Sequence, residues 1–228
     1  MLVSRDFAAI LLAAPLMAVS VTSALAACGD KAKAGVDWSG CKKQNKILKG
    51  RDLTGAKFVG SDLSASTLRD STLNGAALER AMLVKTTLAG SSLKGANLSK
   101  AQGPRANLEK ADLMEANLAK AEFSRARFSG ASLAKADMSK ADVSRAVFAG
   151  ADLSNVNLTY ANLSRADFRA AALAGVNLTG AYVLLTRFEG ADLSAVTGLT
   201  ADQLSIACGD AKTVLPAGLS APETWPCE

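Results

Sequence analysis

The most reactive side chains in this sequence are four cysteines, and the chain holds no histidine to activate them. Nucleophilic and general acid-base catalysis lean on imidazole more than on any other group. Zinc sites draw on His or on closely paired Cys, and no C-x-x-C spacing occurs here. The chemistry left to Cys28, Cys41, Cys208 and Cys227 is to bridge, to stay as free buried thiols, or to carry a modification. Residues 1–26 decide between these. Arg5 precedes an apolar stretch from Phe7 to Val19, and Ala24-Leu25-Ala26 fits a small-x-small cleavage site, the pattern of a signal peptide. The stretch is short and Pro15 interrupts it, so it does not read as a membrane span. Export places the cysteines in an oxidising compartment, where an even count argues for disulfides.

Four cysteines allow three connectivities. Pairs local to each end, Cys28–Cys41 and Cys208–Cys227, are the simplest, and each would contribute roughly 3 kcal/mol in the chain-entropy model. Leu25-Ala26-Ala27-Cys28 also reads as a bacterial lipobox. Lipidation of Cys28 would anchor the chain to a membrane and strand Cys41. The even count favours the soluble form, periplasmic or secreted.

Charge is the second chemical resource. The net charge is +5. Read every 20 residues, Lys85, Arg105, Arg125, Arg145 and Arg165 form one column, and Arg80, Lys100, Lys120 and Lys140 form its neighbour. Some bases have an acid two residues on, as in Lys110/Asp112, Lys120/Glu122, Lys135/Asp137, Lys140/Asp142 and Arg165/Asp167. The Arg column has fewer such partners, since Arg105, Arg125 and Arg145 are followed by Asn107, Arg127 and Val147. Lys85, Arg105, Arg125, Arg127, Arg145 and Arg165 are therefore the candidate anion- or partner-binding residues, because guanidinium groups suit phosphate and carboxylate. The plainer reading is a solvated face. No catalytic residue, metal cluster, phosphate-binding Gly loop, cofactor motif or small-molecule pocket is expected.

The elements that must position these residues follow from one period. Of the 29 positions from 53 to 193 in steps of five, 28 carry Leu, Phe, Met or Val, and only Gly103 breaks the series. Two residues earlier, from 56 to 196, Ala occurs 20 times among Ser, Thr and Val. The other three positions of each five are polar, charged or Gly. Neither a helix nor a strand has this period. A chain that turns a corner every five residues buries both columns. Four corners make a square coil of 20 residues, and coils stack at about the inter-strand spacing of ~4.8 Å. Positions 53, 73, 93 and onward to 193 are all Leu, while a second ladder runs Leu68, Leu88, Leu108, Phe128, Phe148, Phe168, Phe188. About seven coils make a rod of roughly 35 Å.

Segments such as Ala96-Asn97-Leu98-Ser99-Lys100 and Ala151-Asp152-Leu153-Ser154-Asn155 resemble the pentapeptide-repeat family over about two thirds of the chain. The resemblance implies a right-handed quadrilateral β-helix, an all-β fold. It says less about function, because members serve unrelated roles. Some cytoplasmic members mimic duplex DNA in shape and acidity and bind topoisomerases. This chain is basic and carries an export signal, so that role is not expected of it.

Asp or Asn precedes the apolar centre at 14 of the 29 positions and is read as a turn former. The sequons at Asn97, Asn157, Asn162 and Asn177 are read as accidents of the repeat. The expected organisation is a signal peptide (1–26), an N-terminal cap (27–47) without the cycle, the β-helix (48–195) and a C-terminal cap (196–228). Thr200-Ala201-Asp202-Gln203 reads as a capping box opening a short helix, with Gly209 ending it. The cap is expected to cover Leu184 and Leu185. Gly103-Pro104 is expected to form a bulge or short loop, with Phe123 filling the missing centre. The function expected is a non-catalytic structural or protein-interaction scaffold of the cell envelope. The alternative is an Arg-rich edge that binds an anionic lipid headgroup, a cell-wall polymer or, less in keeping with export, nucleic acid. The partner and the oligomeric state are open.

Overall fold

The computed structural model describes residues 28–225 and 227; the signal-peptide reading lies outside them. Residues 37–197 form one continuous coil. Parallel bridges link residues before successive centres to those 20 further on, from Asp37 with Lys57 to Asn177 with Thr197. One five-residue unit shows why the period works. Lys57 N–H donates down to the Val36 carbonyl (2.8 Å), and Phe58 N–H donates up to Ala77 (2.7 Å). Gly60 N–H donates up to Glu79 (2.8 Å), and Ser61 N–H closes the corner onto Phe58 (2.9 Å). The fifth N–H, on the first turn residue, has no backbone partner. All 14 Asp and Asn residues before the centres accept it, as Asp52 does from Thr54 (3.0 Å) and Asn157 from Thr159 (3.1 Å). These carboxylates and amides belong to the turns, as the sequence suggests.

The interior is filled by its own side chains. Leu53, Leu73, Leu93, Leu113, Leu133, Leu153, Leu173 and Leu193 are all buried. In the second ladder, Phe128–Phe148 and Phe148–Phe168 stack with centroids 4.8 Å apart, and Phe168–Phe188 at 5.7 Å. Such pairs add roughly 0.5–1.5 kcal/mol beyond burial. Where the small column carries a hydroxyl, it is buried and bonded: Thr86 and Thr186 donate to the Leu63 and Leu163 carbonyls (2.9 and 2.8 Å). A hydroxyl fits there only because it finds that acceptor.

Gly103 departs from the expectation. It sits in regular register, with Gln102 bridged to Met82 and Glu122 and with Gly103 N–H donating to Glu122 (2.7 Å); there is no bulge. Two facts explain this. The Phe123 ring fills the hole, lying 2.3 Å from where a Gly103 Cβ would stand. Pro104 occupies the first turn position, whose N–H the ladder does not use, so its missing donor costs nothing.

The coil also starts earlier than residue 48. Val36 and Cys41 continue the small column and Trp38, Lys43 and Leu48 the centre column, all buried. The cycle is masked in sequence because Lys43 stands at a centre. Its ammonium lies 3.7 Å over the Trp38 ring and donates to the Cys28 carbonyl. Burial holds the Lys43 pKa below its ordinary value.

Both ends are closed. Cys28–Cys41 and Cys208–Cys227 are disulfides, with Cα atoms 5.6 and 5.3 Å apart. Helix α1 spans Ala201–Ile206 and has the expected capping box between Thr200 and Gln203. The Gln203 amide also donates to the Leu178 and Ala181 carbonyls (3.0 and 2.8 Å), covering part of the open coil edge. Gly209 does not end α1. Ala207 is the C-cap, in extended conformation, and Cys208 then bridges back to Arg187. Gly209 instead makes room for Trp225, whose ring carbon lies 2.2 Å from a hypothetical Cβ and whose indole donates to Ala207 (2.8 Å). The cap covers Leu184 in part only, and Leu185 stays 39% exposed, because its corner points outward beside α1.

Candidate functional site

Every corner from Gly35 to Gly190 places one residue in the left-handed region. On two of the four corners that residue is usually Gly, as at Gly50, Gly90, Gly130 and Gly150, or at Gly55, Gly75, Gly95 and Gly175. The other two corners differ. One has Gly at 40, 60 and 180 but carries Arg80, Lys100, Lys120 and Lys140 in between, with φ of 54°, 59°, 59° and 57°, and then Tyr160. The next carries Lys85, Arg105, Arg125, Arg145 and Arg165, with φ between 55° and 59°. A non-Gly residue there costs on the order of 1 kcal/mol. The fold needs only a corner, and Gly would serve it more cheaply. These nine side chains are kept at a conformational cost.

All nine are exposed. None takes part in an ion pair among the described residues. The pairs expected two residues apart do not form at Lys110, Lys120, Lys135, Lys140 or Arg165. A corner side chain projects outward, while the acid two residues on lies on the next face and is turned to the backbone. Lys135 reaches Glu115 one coil below instead (3.7 Å), and Lys94 reaches Asp112 (3.1 Å). Arg127 also leaves the candidate set. It stands on the adjoining face and is bonded to Glu109. The structure thus brings Lys85, Arg105, Arg125, Arg145 and Arg165 into one ridge and removes Arg127 from it.

The second ridge is the part that sequence reasoning left out of the site. The two columns border one face, formed by residues 101–104 and their equivalents in the other coils. Between residues 80 and 165 that face adds only two acids, Glu122 and Asp142, against the nine bases. The rest of the chain is therefore slightly acidic. Asp142 is itself engaged, accepting from Ser144 N–H (2.9 Å) and from the Asn162 amide (3.3 Å). A shallow groove lined by Pro104, Arg105, Ser124, Arg125, Asp142, Ser144 and Arg145 runs along the ridge. Gly103-Pro104, singled out in the sequence as a break, keeps regular register, and Pro104 lines this groove.

The same side gathers exposed apolar groups. Met82 is 39% exposed, Tyr160 64%, Tyr182 51% and Leu185 39%. These include both tyrosines of the chain. Periodicity alone does not connect the two tyrosines, because Tyr160 stands on a corner and Tyr182 on the face. Tyr160 lies along the corner over Gly180, within 2.6 Å of a hypothetical Cβ there. Among the described residues no cluster of His, Cys, Asp and Glu is arranged to hold a metal, and no helix is long and apolar enough to cross a membrane.

Two family models match the chain, pentapeptide repeats over residues 48–83 and 81–118 and a pentapeptide repeat region over residues 121–197. No match is found among curated proteins. Among solved structures, the trypsin-treated form of QnrB1, a plasmid-mediated fluoroquinolone resistance protein, is 17% identical, with 82% of this chain and 93% of that one covered and a TM-score of 0.65. Full-length QnrB1 gives 18%, 77%, 89% and 0.53. HetL, a pentapeptide repeat protein involved in heterocyst differentiation regulation from the cyanobacterium Nostoc sp. strain PCC 7120, is 24% identical over 84% of this chain and 87% of that one, with a TM-score of 0.38. At these identities the likeness to QnrB1 concerns the fold, the right-handed quadrilateral β-helix. With matched repeats across two thirds of its length and the 20-residue ladder behind them, the chain belongs to the pentapeptide repeat family.

Proposed function

We propose that this chain is a non-catalytic, exported scaffold of the cell envelope that presents its flat faces to a partner. One observation carries this reading: a disulfide-closed rod whose interior is filled by Leu, Phe and Ala leaves no chamber for a substrate and offers only surface. The signal-like residues 1–26 and the bridged cysteines support a periplasmic or secreted location over the lipid-anchored alternative, since the Cys28 thiol is engaged with Cys41. The test is a pull-down from envelope extract using the folded, oxidised chain as bait. Specific recovery of a partner is expected. Recovery no different from that of a reduced, unfolded bait would count against it.

A second reading, anion binding through the Arg-rich edge, is favoured by the nine exposed bases without ion pairs. It departs from acidic DNA mimicry of topoisomerase substrates, because the ridge has the opposite sign.

A further inference from the structure

We infer that the face between the two basic corners is a docking surface for an anionic lipid bilayer. The inference rests on the second reading above and names its ligand.

Three features meet on this side of the rod and nowhere else on it. The first is charge: nine bases in two parallel columns, without ion pairs and opposed by two acids, on a chain whose remainder is slightly acidic. The second is shape. Successive members of a column are one coil apart, ~4.8 Å, so the five-residue column is about 20 Å long. The two columns border one continuous face, so the charges are spread over an area rather than gathered into a pocket. The third is the apolar content. Tyr160, Tyr182, Leu185 and Met82 are exposed on these corners and this face. Tyrosine is favoured at the headgroup level of a bilayer, and a basic surface with exposed apolar groups is the composition of interfacial binding. A soluble polyanion has no use for those apolar groups. The opposite corners, mostly Gly, hold only Lys110 and Lys135 as left-handed bases, so the run of nine is particular to this side.

The test is co-sedimentation of the oxidised mature chain with phosphatidylcholine vesicles, with and without phosphatidylglycerol. Binding is expected only with the anionic lipid and weakens as salt is raised. Arg105→Gln, Arg125→Gln and Arg145→Gln together are expected to lower partitioning about a hundredfold, at about fivefold per charge. A control triple, Lys57→Gln, Lys94→Gln and Lys135→Gln, removes the same charge from other faces and is expected to change little. Tyr160→Ser with Tyr182→Ser is expected to weaken binding while leaving its salt dependence unchanged. All these side chains are exposed, so the variants fold, and their circular dichroism verifies it. Failure of the wild type to sediment with phosphatidylglycerol overturns the inference, as does an equal loss in the control triple. Heparin retention without vesicle binding overturns it in favour of a soluble polyanion. None of these failures touches the scaffold reading, which the pull-down decides separately.

Discussion

Restoring the missing repeat residue, Gly103→Leu, should damage this protein. The consensus argument says the opposite, because Leu is the residue of 17 other centres between Leu53 and Leu193. The structure decides against it. A Cβ on Gly103 stands 2.3 Å from Phe123 Cε1, 2.6 Å from Cδ1 and 2.9 Å from Cζ. Phe123 is fully buried and packs at 6.0 Å on Phe128, so its ring has nowhere to retreat. Gly103 is not among the left-handed residues, so the backbone tolerates a side chain and packing alone is tested. Overpacking of this kind costs about 3 kcal/mol. Phe123→Leu alone loses ring volume, for about 1–2 kcal/mol. The double variant rebuilds two ordinary centres and should fall within about 1 kcal/mol of wild type, a coupling of about 4 kcal/mol. Solenoids unfold less cooperatively than globular domains. The guanidinium midpoint should therefore be read alongside amide exchange at Gly103 and Arg105, whose N–H groups donate to Glu122 and Ser124. A Gly103→Leu variant as stable as wild type, or a double variant no better than the single, would refute the packing account.

Other outcomes follow from the same physics. Asn157→Ala removes the acceptor for Thr159 N–H and Oγ1 and the donor to Asp137, and should lower stability by about 1 kcal/mol; an unchanged thermal midpoint would deny these side chains a turn role. Replacing Cys208 and Cys227 by Ser opens a loop of sequence separation 19 and should cost roughly 3 kcal/mol, seen first as exchange in the last coils. Bonds from Ser39 and Ser194 hold the Asp37 and Asp192 carboxyls below their ordinary value; at Asp62 and Asp167 burial acts upward, but bonds from Ser64 and Gln44 and from Arg169 outweigh it. A depressed folded-state pKa contributes stability that is complete above the unfolded value near ~3.9 and is lost as pH falls through the lower folded value. Stability should thus decline below about pH 4, and a rise on acidification would show the sign to be wrong.

Nearly all of the core was legible, because the period leaves one geometry able to bury both columns. The Phe ladder and the 14 Asx turns could be named by position. The errors share a cause. Phe123 fills the Gly103 centre as the 20-residue ladder suggests; the bulge expected there is absent because a filled centre leaves the ladder nothing to bend around. Pro104 looked disruptive because the unused N–H at the first turn residue appears only once the ladder is drawn. The early start was hidden by Lys43, whose aliphatic stem fits a centre while its ammonium finds Trp38 and Cys28. The basic column was visible at 20-residue spacing. That its neighbour shares a face with it, and that Arg127 turns away to Glu109, depends on where each corner points.

The intact mass of the protein recovered from its native host, measured before and after reduction, tests the central claim most directly. The account predicts a chain beginning near Ala27, with no lipid on Cys28, that gains four hydrogens on reduction of its two disulfides. A chain retaining residues 1–26, a lipid adduct at Cys28, or a mass unmoved by reductant would contradict it.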